Sequence, residues 1–158
     1  MKKVCVVYAS MTGNTEEIAT LLANNLAEFD AQMFQMENTD VSVITEYDGI
    51  LLGSYTWGDG ELPDEAQDFY DQMDDIDLTG KIVGCFGSGD TLYDQYCAAV
   101  DQLQEKAKER GATVMEEGLK IELSPDDDQK VEMIRSFAKK YYDSLIDIQA
   151  AISNNNSK

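Results

Sequence analysis

Short apolar runs that end in glycine- and hydroxyl-rich loops, each followed by a helical pattern, recur along the whole chain, and that alternation leaves few folds open. Val4-Cys5-Val6-Val7-Tyr8 runs into Ser10-Met11-Thr12-Gly13-Asn14-Thr15 and then into Ile18, Leu21, Leu22 and Leu26 at helical spacing. Ala31 to Met36 alternates weakly and reads as a short second strand, with a polar link after it. Tyr47 to Ser54 is a third strand, and it opens into the long turn-forming stretch Tyr55 to Pro63. A helix is expected from near Pro63 through Phe69 and Met73. Lys81 to Gly87 is continuously apolar, as a strand covered on both faces should be, and a loop is expected from Ser88 through Tyr93. Val100, Leu103 and Ala107 mark the next helix, which stops at Arg110-Gly111. Thr113-Val114-Met115 and Leu119-Lys120-Ile121 read as a fifth strand interrupted at Glu116-Glu117-Gly118. The last helix is expected to open at Ser124-Pro125 and to bury Val131, Ile134, Phe137, Ala138, Tyr141 and Leu145.

Five strands and five helices in strict alternation, with no repeat or linker, imply an α/β domain with a parallel sheet and helices on both faces. One domain over residues 1–148 is expected, with a polar tail over 149–158 in which Ser153 to Lys158 are expected to be disordered. Ligands of such sheets sit beyond the carboxyl ends of the strands. The loops that start at Ser10, Tyr55 and Ser88 all follow strands, so they should converge on that edge.

Composition narrows the chemistry. The formal charge is −19, with acids in every third of the sequence, which argues against nucleic acid or an anionic membrane as partner and makes a basic protein the better candidate. The chain has no histidine, so Ser-His-Asp and Cys-His hydrolysis are excluded along with the commonest general base. Cys5, Cys85 and Cys97 show no Cys-x-x-Cys spacing and read as buried reduced thiols. The apolar run after Lys2 and Lys3 is too short for a signal or membrane segment, so a cytoplasmic location is expected.

The first loop holds three hydroxyls, a glycine and a carboxamide in six residues, at the positive end of a helix. A hydroxyl cap would account for one of those hydroxyls, and a bound phosphate for all three. The nearest cations, Lys2 and Lys3, lie roughly 20 Å away along the strand, so dipoles alone would hold the anion. Trp57 and Tyr93 stand outside the strand and helix periodicities. Either ring alone could lid the local core; together they make a slot for a flat ring. The implied ligand is a mononucleotide with a planar heterocycle, and flavin is the best candidate.

With these residues in view, the chain closely resembles the flavodoxins. The resemblance runs from Val4-Cys5-Val6-Val7-Tyr8 and Ser10-Met11-Thr12-Gly13-Asn14-Thr15 through Thr56-Trp57-Gly58-Asp59-Gly60 to Gly87-Ser88-Gly89-Asp90, Tyr93 and Cys97. The absence of an insertion between Thr113 and Glu122 matches the short-chain kind. The resemblance implies a doubly wound sheet in the order 2-1-3-4-5, non-covalent FMN, and low-potential one-electron transfer by a monomer. Its partners would be basic-surfaced redox proteins, namely a flavodoxin reductase and electron acceptors. Carried over by position, Ser10, Met11, Thr12, Gly13, Asn14 and Thr15 would bind the phosphate, and Trp57 and Tyr93 would flank the ring. The Gly58 peptide would face flavin N5. Tyr55, Thr56, Asp59, Ser88, Gly89, Asp90, Tyr96 and Cys97 would complete the cofactor contacts.

Three relatives by fold or motif fit less well. A phospho-accepting receiver domain needs acids where Ser10 and Ser54 stand. A dinucleotide-binding dehydrogenase needs a third glycine where Leu92 stands, and a low-molecular-weight phosphatase needs a cysteine in the first loop. An FMN-dependent quinone or NAD(P)H reductase remains the enzyme alternative, and an adaptor without cofactor the third class.

Overall fold

The computed structural model describes residues 2–156, with side chains described through residue 147. β1 (Val4–Ala9) is an inner strand of the sheet, every residue buried, and pairs in parallel with β2 (Gln32–Gln35) on one side and β3 (Gly49–Ser54) on the other. β4 (Ile82–Gly89) continues the sheet beyond β3, giving the order β2-β1-β3-β4-β5. The interrupted fifth strand is two short ones occupying one position beside β4. β5 (Thr113–Val114) meets Ile82 and Val83, and β6 (Leu119–Glu122) meets Phe86 to Gly89.

Side chains along a strand point alternately to opposite faces, and the sheet sorts its neighbours by that parity. Cys5, Val7 and Ala9 of β1, Ile50 and Leu52 of β3, and Val83 and Cys85 of β4 face α2 (Asp64–Gln72) and α3 (Ala98–Glu109). Val4, Val6 and Tyr8, with Leu51, Ile82 and Phe86, face α1 (Asn14–Asn25) and α4 (Asp128–Asn156). Both faces are therefore buried, which is why the central strands read as unbroken apolar runs. Among the described residues, no helix is long and apolar enough to cross a membrane.

Among the described residues, four α-helices are found where five were expected. The connection from β2 to β3 is made instead by short 3-10 turns, Met36–Asn38 and Val41–Glu46. The second of these is opened by Asp40, whose carboxylate accepts from Ser42 N at 2.9 Å. The last helix begins at Asp128 rather than at Pro125, because Asp127 Oδ1 takes the Lys130 N–H at 2.8 Å and caps it there. Its backbone runs on to Asn156, through the polar tail and through Ser153 to Asn156, where disorder was expected; Ser157 and Lys158 lie outside the described residues. Ser88 and Gly89, expected in a loop, are the end of β4, held in the ladder by Ile121 and Glu122. The loop proper starts at Asp90.

The three cysteines are buried and unbonded, as expected. Burial pushes the Cys5 thiol up to about 12 against the opposing pull of Lys81. The close packing at the carboxyl edge is sharpest at Gly87, where an added Cβ would overlap the Ser54 carbonyl oxygen and lie 2.7 Å from Val100 Cγ2. The Ser54 oxygen is backbone and cannot step aside, so Gly87→Ala should destabilise the fold by about 2–3 kcal/mol, read from a urea transition. An unchanged transition midpoint would mean that β3 and α3 are free to separate.

Candidate functional site

The first of the three loops does not cap its helix with a hydroxyl. α1 is preceded by Gly13 at φ 94°, and no side chain satisfies the helix's first N–H groups. The Gly13 N–H donates to Ser10 Oγ at 3.1 Å, which closes the turn. Thr15 is 1% exposed, and its hydroxyl shares a 2.8 Å hydrogen bond with Ser88 Oγ, tying the loop to the end of β4. That pair has two hydroxyl hydrogens and uses one between them, so one is left to donate outward. Ser10, Thr12, Asn14, Thr15 and Ser88 line a hollow of about 140 Å³. Its donors are a helix start and hydroxyls, and its one charged lining residue is Asp90, so an anion held there would be held by dipoles.

The second and third loops form the wider part. A cavity of about 560 Å³ is walled by Tyr55, Thr56, Trp57 and Gly58 from one and by Asp90, Tyr93, Gln95, Tyr96 and Cys97 from the other. The two hollows share Met11, Thr12, Asn14, Tyr55, Thr56, Asp90, Tyr93 and Leu123 and are one continuous depression. Trp57 is 52% exposed and Tyr93 61%, so neither ring is a lid on the core.

The loop bearing Trp57 is fixed at its base and free at its tip. Trp57 and Glu61 exchange two backbone hydrogen bonds of 2.8 Å. Thr56 Oγ1 accepts the Ala99 N–H at 3.0 Å, so the loop caps α3 from outside that helix. The Gly60 carbonyl accepts from Gln102 Nε2 at 2.6 Å. Gly58, at φ 51°, has nothing within 4 Å of an added Cβ, so its backbone stands in the open. On the facing loop, Asp90 Oδ1 accepts the Leu92 N–H at 2.9 Å and shapes the turn that presents Tyr93.

Every shifted side chain lining the depression is shifted away from catalysis. Burial first, then the bond from Tyr55 Oη to Glu65 Oε2 at 2.6 Å and the nearby carboxylates, push the Tyr55 phenol above its usual range. Burial also raises Tyr96, and it takes the Cys97 thiol up to about 11. These groups stay protonated at neutral pH. Around the rim, Asp59, Glu61, Asp64 and Asp94 are exposed, while Glu65 and Asp90 are partly buried and accept the bonds already named. No Lys or Arg occurs from Val4 through Gly80, so the two loops that start at Ser10 and Tyr55 bring no cation to offset those acids.

Of the residues expected at the site, Gly13 and Asp59 line neither hollow: Gly13 is the turn before α1, and Asp59 sits at the exposed tip beside Gly58. The others named from sequence all come together there. Gln95 and Leu123 were missed. Leu123 follows β6, and the rule that ligands sit beyond strand ends, applied to the last strand as well as to the first, third and fourth, would have found it.

Fold and depression together define a doubly wound α/β protein with a dipole-lined anion hollow that opens into an aromatic-walled cavity at its carboxyl edge. The flavodoxin family model matches residues 6–137, and the chain belongs to that family. It is 45% identical over 143 residues to a probable flavodoxin 1 of Bacillus subtilis (strain 168), covering 89% of this chain and 90% of that one. A probable flavodoxin 2 of the same organism is 44% identical over 146 residues, covering 89% and 97%. The crystal structure of oxidised Flavodoxin 2 from Bacillus cereus superposes with a TM-score of 0.88 at 51% identity, over 90% of this chain and 99% of that one. Flavodoxins are electron-transfer flavoproteins rather than enzymes, and the chain is a flavodoxin-type electron carrier.

Proposed function

We propose that the protein is a low-potential one-electron carrier that binds FMN non-covalently and exchanges electrons with basic-surfaced redox proteins. The observation that carries this reading is the joined depression. A hollow of about 140 Å³ offers helix-end and hydroxyl donors for a phosphate, and a cavity of about 560 Å³ offers aromatic walls for a planar ring. A crystal structure of Fusobacterium nucleatum flavodoxin, alike in fold at a TM-score of 0.79, is bound to flavin mononucleotide. FMN, when bound, supplies the one-electron chemistry.

What the chain's own residues do follows from where they stand. The uncapped start of α1, with Ser10, Thr12 and the Thr15–Ser88 pair, takes the phosphate. Trp57 and Tyr93 flank the ring, whose edge stays open to a partner because both side chains are themselves half exposed. Gly58 presents backbone to the ring's N5 side, and its open surroundings let that peptide turn without a Cβ clash. The exposed acids Asp59, Glu61, Asp64 and Asp94 surround the mouth and favour a partner of opposite charge.

Tyr93→Ala tests the slot. Loss of one stacked face should weaken FMN and riboflavin alike, by about 1 kcal/mol beyond the lost burial, in a fluorescence titration. Unchanged affinity for both would return Tyr93 to the role of a surface ring with no ligand.

A further inference from the structure

Leu123 is the one bulky aliphatic residue among the described residues held in the left-handed region, at φ 59°. A side chain there crowds the following carbonyl, and such a residue persists only where its surroundings over-determine it. Here they do. The Leu123 N–H donates to the Gly89 carbonyl at 2.7 Å, one step past the end of the β4–β6 ladder. Lys130 Nζ, reaching back from the first turn of α4, donates to the carbonyls on either side, Glu122 O at 2.8 Å and Ser124 O at 3.2 Å, and to Asp126 Oδ1 at 3.0 Å. The clamp fixes the backbone of Leu123 without touching its side chain.

The side chain gains little from the fold in return. It is 47% exposed and belongs to neither core cluster, yet it lines both the anion hollow and the aromatic cavity. A strained backbone that holds an apolar group away from the core and against a concavity calls for a reason outside the core.

We propose that Leu123 is a cofactor-binding residue, the apolar wall of the depression between its phosphate and ring ends, and that Lys130 is the positioning residue that holds it there. This rests on the FMN reading above. Leu123 acts by packing, so its partner is the uncharged middle and ring of the ligand and not the phosphate.

The test uses the full chain stripped of flavin, with FMN and riboflavin as probes, and two variants that separate strain from contact. Leu123→Gly removes both the side chain and the strain; Leu123→Ala removes the side chain and keeps the strain. Both should bind FMN and riboflavin about five- to tenfold more weakly than the unaltered protein, as expected for losing half the burial of a leucine. Without ligand, Leu123→Gly should melt at or above the unaltered protein and Leu123→Ala below Leu123→Gly. Lys130→Met should weaken both flavins as well, and Lys130→Met combined with Leu123→Gly should bind no worse than Leu123→Gly alone. Leu123→Gly that binds as tightly as the unaltered protein overturns the assignment while leaving the FMN reading intact. Leu123→Gly that melts well below it makes the side chain a packing residue and overturns the assignment too. An unaltered protein that takes up neither flavin overturns both readings together.

Discussion

Thr12→Asp should abolish most of the preference for FMN over riboflavin while leaving the fold untouched. Thr12 is exposed and lines the anion hollow, whose other donors are backbone dipoles and hydroxyls without a lysine or arginine to offset an added carboxylate. At about 5 Å and an effective dielectric near 20, one carboxylate costs a phosphate roughly 3 kcal/mol per unit of phosphate charge. FMN affinity should therefore fall by at least about a hundredfold, riboflavin affinity by less than about threefold, and raised salt should recover part of the FMN loss. Thr12→Val is the mild companion, losing about 1–3 kcal/mol of charge-assisted hydrogen bonding. Equal losses for FMN and riboflavin in the aspartate variant would place the phosphate elsewhere.

The second large effect is on potential. On the proposed reading the fully reduced flavin is an anion, and the mouth of the depression carries Asp59, Glu61, Asp64 and Asp94 in exposed positions. Each carboxylate at about 10 Å costs that negative charge roughly 0.4 kcal/mol in a water-like dielectric. Changing all four to amides should raise the second one-electron potential by roughly 70 mV at low salt, with little change in the first. Glu65 and Asp90 are left alone because their oxygens hold Tyr55 Oη and the Leu92 N–H. The same variant should lose most of the salt dependence of electron transfer to a basic protein acceptor, measured by stopped flow. A quadruple variant with the original potential and the original salt slope would reduce these acids to a solvated surface.

The parallel sheet covered on both faces and the convergence of three loops were legible in the sequence because both depend on patterns that tolerate no slippage, whereas the strand order came from the family resemblance. A parallel strand buried on two faces must be apolar throughout, and β1, β3 and β4 are. Helix starts were less legible. Pro125 followed by three acids satisfies every local rule for a first turn, yet the helix waits for Asp127 because Lys130 holds the residues before it to the end of β6. A side chain five residues beyond Pro125 overrode the local signal. The same clamp explains why Leu123 was missed: nothing in Glu122-Leu123-Ser124 announces a left-handed leucine, which normally calls for glycine or asparagine. The first loop's internal bonding was not legible either. Its three hydroxyls looked equivalent in sequence, but Ser10 closes the turn, Thr15 bonds Ser88, and Thr12 alone stands exposed.

The most direct test of the carrier assignment is an absorption spectrum of the purified protein followed through a reductive titration, with NAD(P)H as a control reductant. One FMN per chain, reduction in two resolved one-electron steps, and no oxidation of NAD(P)H by the protein alone are the expected results. A protein that stays colourless after FMN is added, or one that oxidises NAD(P)H without a partner, would contradict it.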